Sequence, residues 1–329
     1  MKTHLTFLSA ALAALTLMIS SPARGQSTTK KLRMGISTTS VVFLPIYTAL
    51  QKGFYQDEGI ELEIIVMPAA LASTAVLTGD LDYNGAVTGV IGAAVQGRPL
   101  KVLTFTADRP LSFLMARKEI KTMRELKGKR VVGSSPGGNA TLLAKLAMRH
   151  FGLHPERDVS IMPMGGADEA RLSVLDSGVA DATILGIPLN IYALEKGYTE
   201  LAFFGNVVRF PQTGFGTSER KIREQADEVL KMVRATLRGL MFTWEEKNRV
   251  EILDLIMRRL KVSDRRFAAG VLRHLRRGLT RDATVDSAGI QALIDLARAN
   301  AHVSKPVAIA QVVDYTFVEK ARKEPGLQR

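Results

Sequence analysis

Before Lys221, the apolar positions of the chain follow two spacings in turn. Short runs rich in Val, Ile, Leu and Phe predict strands over 32–36, 61–66, 81–86, 100–106 and 111–116. Apolar residues three and four apart predict helices over 69–78 and 88–96. The punctuation agrees. Pro45 sits where a helix tolerates it in its first turn, Gly53, Gly79 and Gly97 stand where helices stop, and Ala107-Asp108-Arg109-Pro110 is a turn between two strands. Strands alternating with helices predict an α/β fold with mostly parallel sheets. From Lys221 onward the strand spacing disappears, and helices are predicted over 222–244, 250–260, 264–275 and 288–300, each with a charged face. Thr284-Val285-Asp286-Ser287 supplies capping residues for the last of these.

The α/β pattern restarts once. Met34-Gly35 before a hydroxyl loop is echoed by Val132-Gly133, and Thr78-Gly79-Asp80-Leu81-Asp82 is echoed by Ser177-Gly178-Val179-Ala180-Asp181. The offsets, 98 residues from Gly35 to Gly133 and 99 from Asp82 to Asp181, are nearly equal and predict two lobes of one plan. The expected first lobe comprises residues 26–114 and 206–329, with the helical tail packed on it, and the second lobe residues 115–205. The chain would cross between lobes near 111–119 and 205–217.

Residues 1–25 begin with Lys2 and His4, continue as an uncharged apolar run over 5–19, and break at Ser20-Ser21-Pro22. Such a segment is too short for a comfortable membrane span and is expected to be a cleavable secretory signal. The chain has no cysteine. That excludes disulfides, thiolate catalysis, cysteine-ligated metals and a lipid-bearing cysteine, so an exported, untethered, periplasmic protein is expected. The formal net charge is +13, and much of the excess lies between Arg258 and Arg281. Those cations alternate with apolar Ile256, Leu260, Phe267, Val271, Leu272 and Leu275 at helical spacing, with no interleaved aromatic platform. A solvated helix face is expected, a partner-binding face being the other reading; nucleic acid is not a predicted partner.

In an open parallel sheet, ligands bind beyond the carboxyl ends of the strands, where helix N-termini expose N–H groups. The loops in those places supply Ser37, Thr38, Thr39, Ser40, Thr88 and Thr106 in the first lobe, and Ser134, Ser135, Gly138, Asn139, Thr141 and Gly186 in the second. None of these residues is charged, so hydroxyls, backbone N–H groups and helix dipoles are expected to hold the ligand. Asp108, Arg109 and Arg209 near the crossings are the charged candidates. Phe43, Tyr83, Phe105, Phe210 and Phe215 could wall a cleft, although core packing is the commoner fate of such residues. The histidines lack the H-E-x-x-H spacing and there is no G-x-S-x-G elbow, so no catalytic residue, metal or cofactor is expected.

Several stretches together resemble the periplasmic substrate-binding proteins of nitrate, sulfonate and taurine type transporters, which share the SsuA/THI5-like domain. They are Leu44-Pro45-Ile46-Tyr47-Thr48-Ala49, Lys52-Gly53-Phe54-Tyr55, Leu77-Thr78-Gly79-Asp80-Leu81-Asp82-Tyr83, Gln96-Gly97-Arg98-Pro99-Leu100 and Leu126-Lys127-Gly128-Lys129-Arg130-Val131. The resemblance implies a type 2 periplasmic-binding fold, a cleft between lobes, a monomeric receptor, and an ABC permease with its ATPase as partners. It also implies ligand contacts on the loops named above, with ligands ranging over nitrate, sulfonates, pyrimidines and aromatic acids. An enzyme branch of pyrimidine synthases uses a histidine, a lysine and a cysteine-rich motif; here there is no cysteine, and Val42 and Leu44 flank Phe43 where a histidine would be sought. A ligand-sensing interaction protein that uses Arg273 to Arg281 is the remaining alternative.

Overall fold

A computed structural model describes residues 29–134, 139–164 and 167–327. The signal expected over 1–25 lies outside the described residues, as do Ser135 and Gly138. The chain first builds β1 (Lys30–Ile36), α1 (Leu44–Gln51), α2 (Phe54–Asp57), β2 (Ile60–Val66), α3 (Ala69–Thr78), β3 (Tyr83–Asn84), α4 (Val87–Ala94) and β4 (Leu100–Ala107). A second lobe follows, with β5 (Ser112–Ala116), β6 (Arg130–Val132), α5 (Asn139–His150), β7 (Ser160–Met162), α6 (Asp168–Asp176), β8 (Ala182–Gly186), α7 (Leu189–Glu195) and β9 (Thr199–Phe203). The chain returns through β10 (Thr213–Ser218) into α8 (Glu219–Glu224), α9 (Ala226–Trp244), α10 (Arg249–Leu260), α11 (Arg265–Leu275), α12 (Ser287–Asn300), α13 (Ile309–Val312) and α14 (Thr316–Arg322).

The two sheets share one plan. Their strand orders are β2-β1-β3-β10-β4 and β7-β6-β8-β5-β9, so each lobe receives its fourth strand from a segment that has just crossed from the other side. Both sheets are mostly parallel, as predicted, with one reversed strand each: β1 pairs parallel with β2 and β3, and β6 with β7 and β8, but β10 and β5 pair antiparallel with both neighbours. A strand that enters straight from a crossing has no crossover helix before it to turn it parallel. Because β5 already belongs to the second sheet, the first crossing is 108–111, ahead of the boundary at 114 read from the sequence. The sequence echo has a structural counterpart. Asp82 accepts the backbone N–H of Arg33 in β1 at 2.8 Å, and Asp181 accepts that of Arg130 in β6 at 2.8 Å, so the equivalent carboxylate holds the backbone of the equivalent strand in each lobe.

The tail is more than a cap on the first lobe. Helix α9 lies along α1, and a Cβ at Gly239 would stand 2.7 Å from Ala49 Cβ; close axial approach there requires glycine. Helix α11 reaches the second lobe as well. Phe267 packs on Tyr192 with ring centroids 4.4 Å apart, Arg277 lies 4.3 Å over the Phe203 ring and donates to Glu200 at 2.7 Å, and His274 Nε2 is 3.3 Å from Glu200. The basic stretch is therefore engaged in packing to a greater degree than a solvated face: Arg259 stacks over Tyr47, Arg276 donates to the Thr243 and Trp244 carbonyls, and Arg281 covers Trp244. Continuous apolar contacts run from the α1 and α9 layer through Phe267, Val271 and Leu275 to Phe113, Ile191 and Phe203. Among the described residues no helix is long and apolar enough to cross a membrane.

Candidate functional site

A cavity of about 540 Å³ lies at the carboxyl ends of β1 and β3, a size suited to a small organic molecule. Ser37 and Thr38 from the loop after β1 line it together with Thr88 in the first turn of α4. Helix α4 starts at Ala86, which has no side chain to cap it, so the first N–H groups stay open beside Thr88. The second crossing contributes Phe210, Gln212 and Thr213. The opposite wall is α12, through Leu293, Leu296, Ala297 and Asn300. The cavity thus joins a polar rim to a larger hydrocarbon wall, and no ionisable side chain stands among its described lining residues.

Other predicted contacts are placed differently. Ser40 caps the turn over Val41–Phe43 by accepting from Val42 N, and its hydroxyl lies 3.5 Å from the Ile187 carbonyl of the second lobe. Thr39 is exposed and is not among the lining residues. Thr106 is also absent from the lining residues. It points into the core, fully buried, and its hydroxyl pairs with that of Thr213 at 2.9 Å. In the second lobe Thr141 donates to the Ser134 carbonyl at 2.8 Å and its N–H lies 3.4 Å from Ser134 Oγ, so these two groups close their own loop. Asn139 begins α5. The N–H of Gly186 is already taken by Asp168 Oδ2 at 2.5 Å, and Asp168 also pairs with the buried Arg171.

The charged candidates are held at the crossings. Arg109 lies 3.6 Å from Asp108, and the exposed Arg209 lies 3.9 Å from Asp286. Burial pushes the Asp108 carboxyl up, and the nearby Arg109 only partly opposes it. Of the five aromatics, Phe43 and Phe210 line the cavity, whereas Tyr83, Phe105 and Phe215 are buried in the core. Sequence reasoning missed the α12 wall, the amides of Gln96, Gln212 and Asn300, and Asp168. A lone amide or carboxylate at a helix end or in a crossing segment carries no distinguishing local pattern, so only tertiary placement reveals these groups. Among the described residues no set of three His, Asp or Glu side chains is arranged to hold a metal ion.

Comparison with known proteins supports the fold and adds a family. The riboflavin-binding protein RibY of Chloroflexus aurantiacus is 27% identical over 216 residues, 62% of this chain and 59% of that protein. The periplasmic aliphatic sulphonate binding protein SsuA of Escherichia coli superposes with a TM-score of 0.69 at 17% identity, covering 86% of this chain and 96% of that one. The desulfurization enzyme DSZB shares the fold at a TM-score of 0.63 and 15% identity, covering 89% of this chain and 99% of that one. At those identities the two structures speak for the fold alone, which is that of periplasmic binding proteins. Residues 40–249, spanning both lobes and the start of the helical tail, match the family described as NMT1/THI5 like, and the chain belongs to that family.

Proposed function

We propose that this chain is the solute-binding component of an ABC importer. A small organic molecule enters the first-lobe cavity, the second lobe closes over it about the two crossings, and the closed form hands the ligand to the membrane permease and its ATPase. The observation that carries this reading is the cavity itself, at the carboxyl ends of β1 and β3 and beside a crossing. RibY and SsuA, both binding proteins by name, support it. In this reading Ser37, Thr38, Thr88 and the open start of α4 hold the ligand in the first lobe. The loop from Ser134 to Thr141 meets it on closure, residues 1–25 direct export to the periplasm, and the receptor acts as a monomer.

The DSZB fold makes an enzyme the natural rival. Acid–base catalysis needs a titratable group, and a Ser or Thr hydroxyl becomes a nucleophile only beside a base; the described lining supplies hydroxyls, amides and hydrocarbon but no such base. A receptor returns its ligand intact. The test is a thermal-shift screen of small organic molecules. A compound at 100 times its Kd raises stability by about 2.7 kcal/mol if it binds only the native state. A hit recovered unchanged, and weakened by Thr88→Val, supports the receptor; turnover of the hit contradicts it.

A further inference from the structure

Three side-chain amides line the cavity, Gln96, Gln212 and Asn300, and two of them are already oriented. Gln96 donates from Nε2 to the Gly92 carbonyl at 2.7 Å, which leaves its Oε1 as an acceptor. Gln212 does the reverse: its Oε1 accepts the Leu111 backbone N–H at 3.0 Å, which leaves its NH2 as a donor. Neither amide can be flipped without facing acceptor to acceptor or donor to donor. Beside the hydroxyls of Ser37, Thr38 and Thr88, the cavity therefore carries an oriented acceptor at Gln96 and an oriented donor at Gln212, with Phe43, Phe210, Leu293 and Leu296 as its apolar wall.

We infer that the site takes an uncharged ring compound with an amide- or urea-type edge. Such an edge offers N–H to Gln96 and C=O to Gln212, while its flat face lies on the aromatic and aliphatic wall. Sulfonates, nitrate and carboxylates carry acceptors only, so the hydroxyls, the start of α4 and Gln212 can meet them but they bring no donor to Gln96 Oε1. No cation in the described lining offsets their charge, and the arginines of the crossings are held by Asp108 and Asp286. Gln212 adds a mechanical role. Its amide joins the second crossing to Leu111 of the first, so a ligand bonded to it touches both hinge strands through one side chain.

The inference rests on the cavity being the ligand site, and one experiment separates the two claims. Calorimetric titration of the exported chain would compare uracil, nicotinamide and lumichrome with orotate, nicotinate and methanesulfonate. The expected result is binding of at least one uncharged probe, at least 30-fold tighter than any anionic one. Gln96→Met, at an exposed helix end, should weaken that binding about tenfold, as loss of one hydrogen bond does. Equal or tighter binding of an anionic probe overturns the inference, as does an unchanged affinity in Gln96→Met or silence from every uncharged probe. If an anionic probe binds and Ala297→Phe abolishes that binding, the binding-protein reading stands and this inference falls. If no compound of either kind binds, both fall.

Discussion

Glu200 offers the sharpest test of how the helical tail ties the lobes together. Its carboxylate, on the second-lobe strand β9, accepts from Arg277 at 2.7 Å and stands 3.3 Å from His274 Nε2, both from the tail. His274 Nδ1 lies 2.9 Å from the Gly270 carbonyl, which can only accept, so Nδ1 donates there and Nε2 donates to Glu200 only in the imidazolium form. Glu200→Gln keeps the volume and removes the charge. A hydrogen bond to a charged group contributes about 1.5–3 kcal/mol against about 1 for a neutral one, and Arg277, with a third of its side chain exposed, is partly screened. Two weakened contacts therefore predict a loss of about 2 kcal/mol at pH 7. The assay is urea unfolding followed by the fluorescence of Trp244, the single tryptophan, whose indole donates to the Thr280 carbonyl at 2.6 Å, in the segment following α11.

The pH dependence sharpens that test. Burial alone would raise the Glu200 carboxyl, but hydrogen bonds from His274 and Arg277 outweigh it and hold the group below the usual carboxylate range. A depressed native value stabilises the fold above the unfolded pKa of about 4.3, and this stabilisation is lost as pH falls through the native value. The gap between the wild type and Glu200→Gln should therefore be full at pH 6 to 7 and narrow progressively below about pH 4. Equal stability of the two proteins at neutral pH, or a gap that stays constant into acid, would refute the clasp.

Three further outcomes follow from the packing. Gly239→Ala should destabilise by about 2 kcal/mol, seen as a lower urea midpoint, because overpacking against Ala49 outweighs the gain of up to about 1 kcal/mol that alanine brings to a helix interior. Asp82→Ala should cost more than Asp181→Ala, about 2 against about 1 kcal/mol, since Asp82 also holds the buried Lys221 at 2.7 Å, which keeps Glu228 and Gln225, whereas Asp181 pairs with the half-exposed Arg130; parallel denaturation curves decide. Ala297→Phe, on the α12 wall, should abolish ligand-induced thermal shifts while leaving the unliganded melting temperature nearly unchanged.

Much of the fold was legible because it follows from local pattern. The α3 span of 69–78 and the glycine after it were read from apolar spacing and a left-handed stop, and Gly79 has φ 92°. The echo of Asp82 in Asp181 was visible because one carboxylate performs one backbone task twice. What escaped depends on long-range contacts. The helix predicted over 222–244 breaks at Gln225 into α8 and α9, and α14, whose Phe317 and Val318 are buried, was not anticipated. The antiparallel insertion of β10 and β5 is a property of the chain's path between lobes, which apolar periodicity does not carry. Ser37, Thr38 and Thr88, which the sequence places beyond strand ends, line the cavity. Thr106 lies apart from the cavity lining because β4 is covered on both faces, so a hydroxyl near its end is buried whichever way it points. The opposing wall belongs to α12, some two hundred residues after Thr88 in the chain, and only tertiary packing brings it there.

The most direct measurement is calorimetric titration of a screening hit into the wild type and Ala297→Phe, with mass spectrometry of the compound afterwards. The account predicts one-to-one binding in the wild type, loss of binding in the variant, and recovery of the compound unchanged. Binding that survives the filled cavity, or a compound recovered as a product, would contradict it.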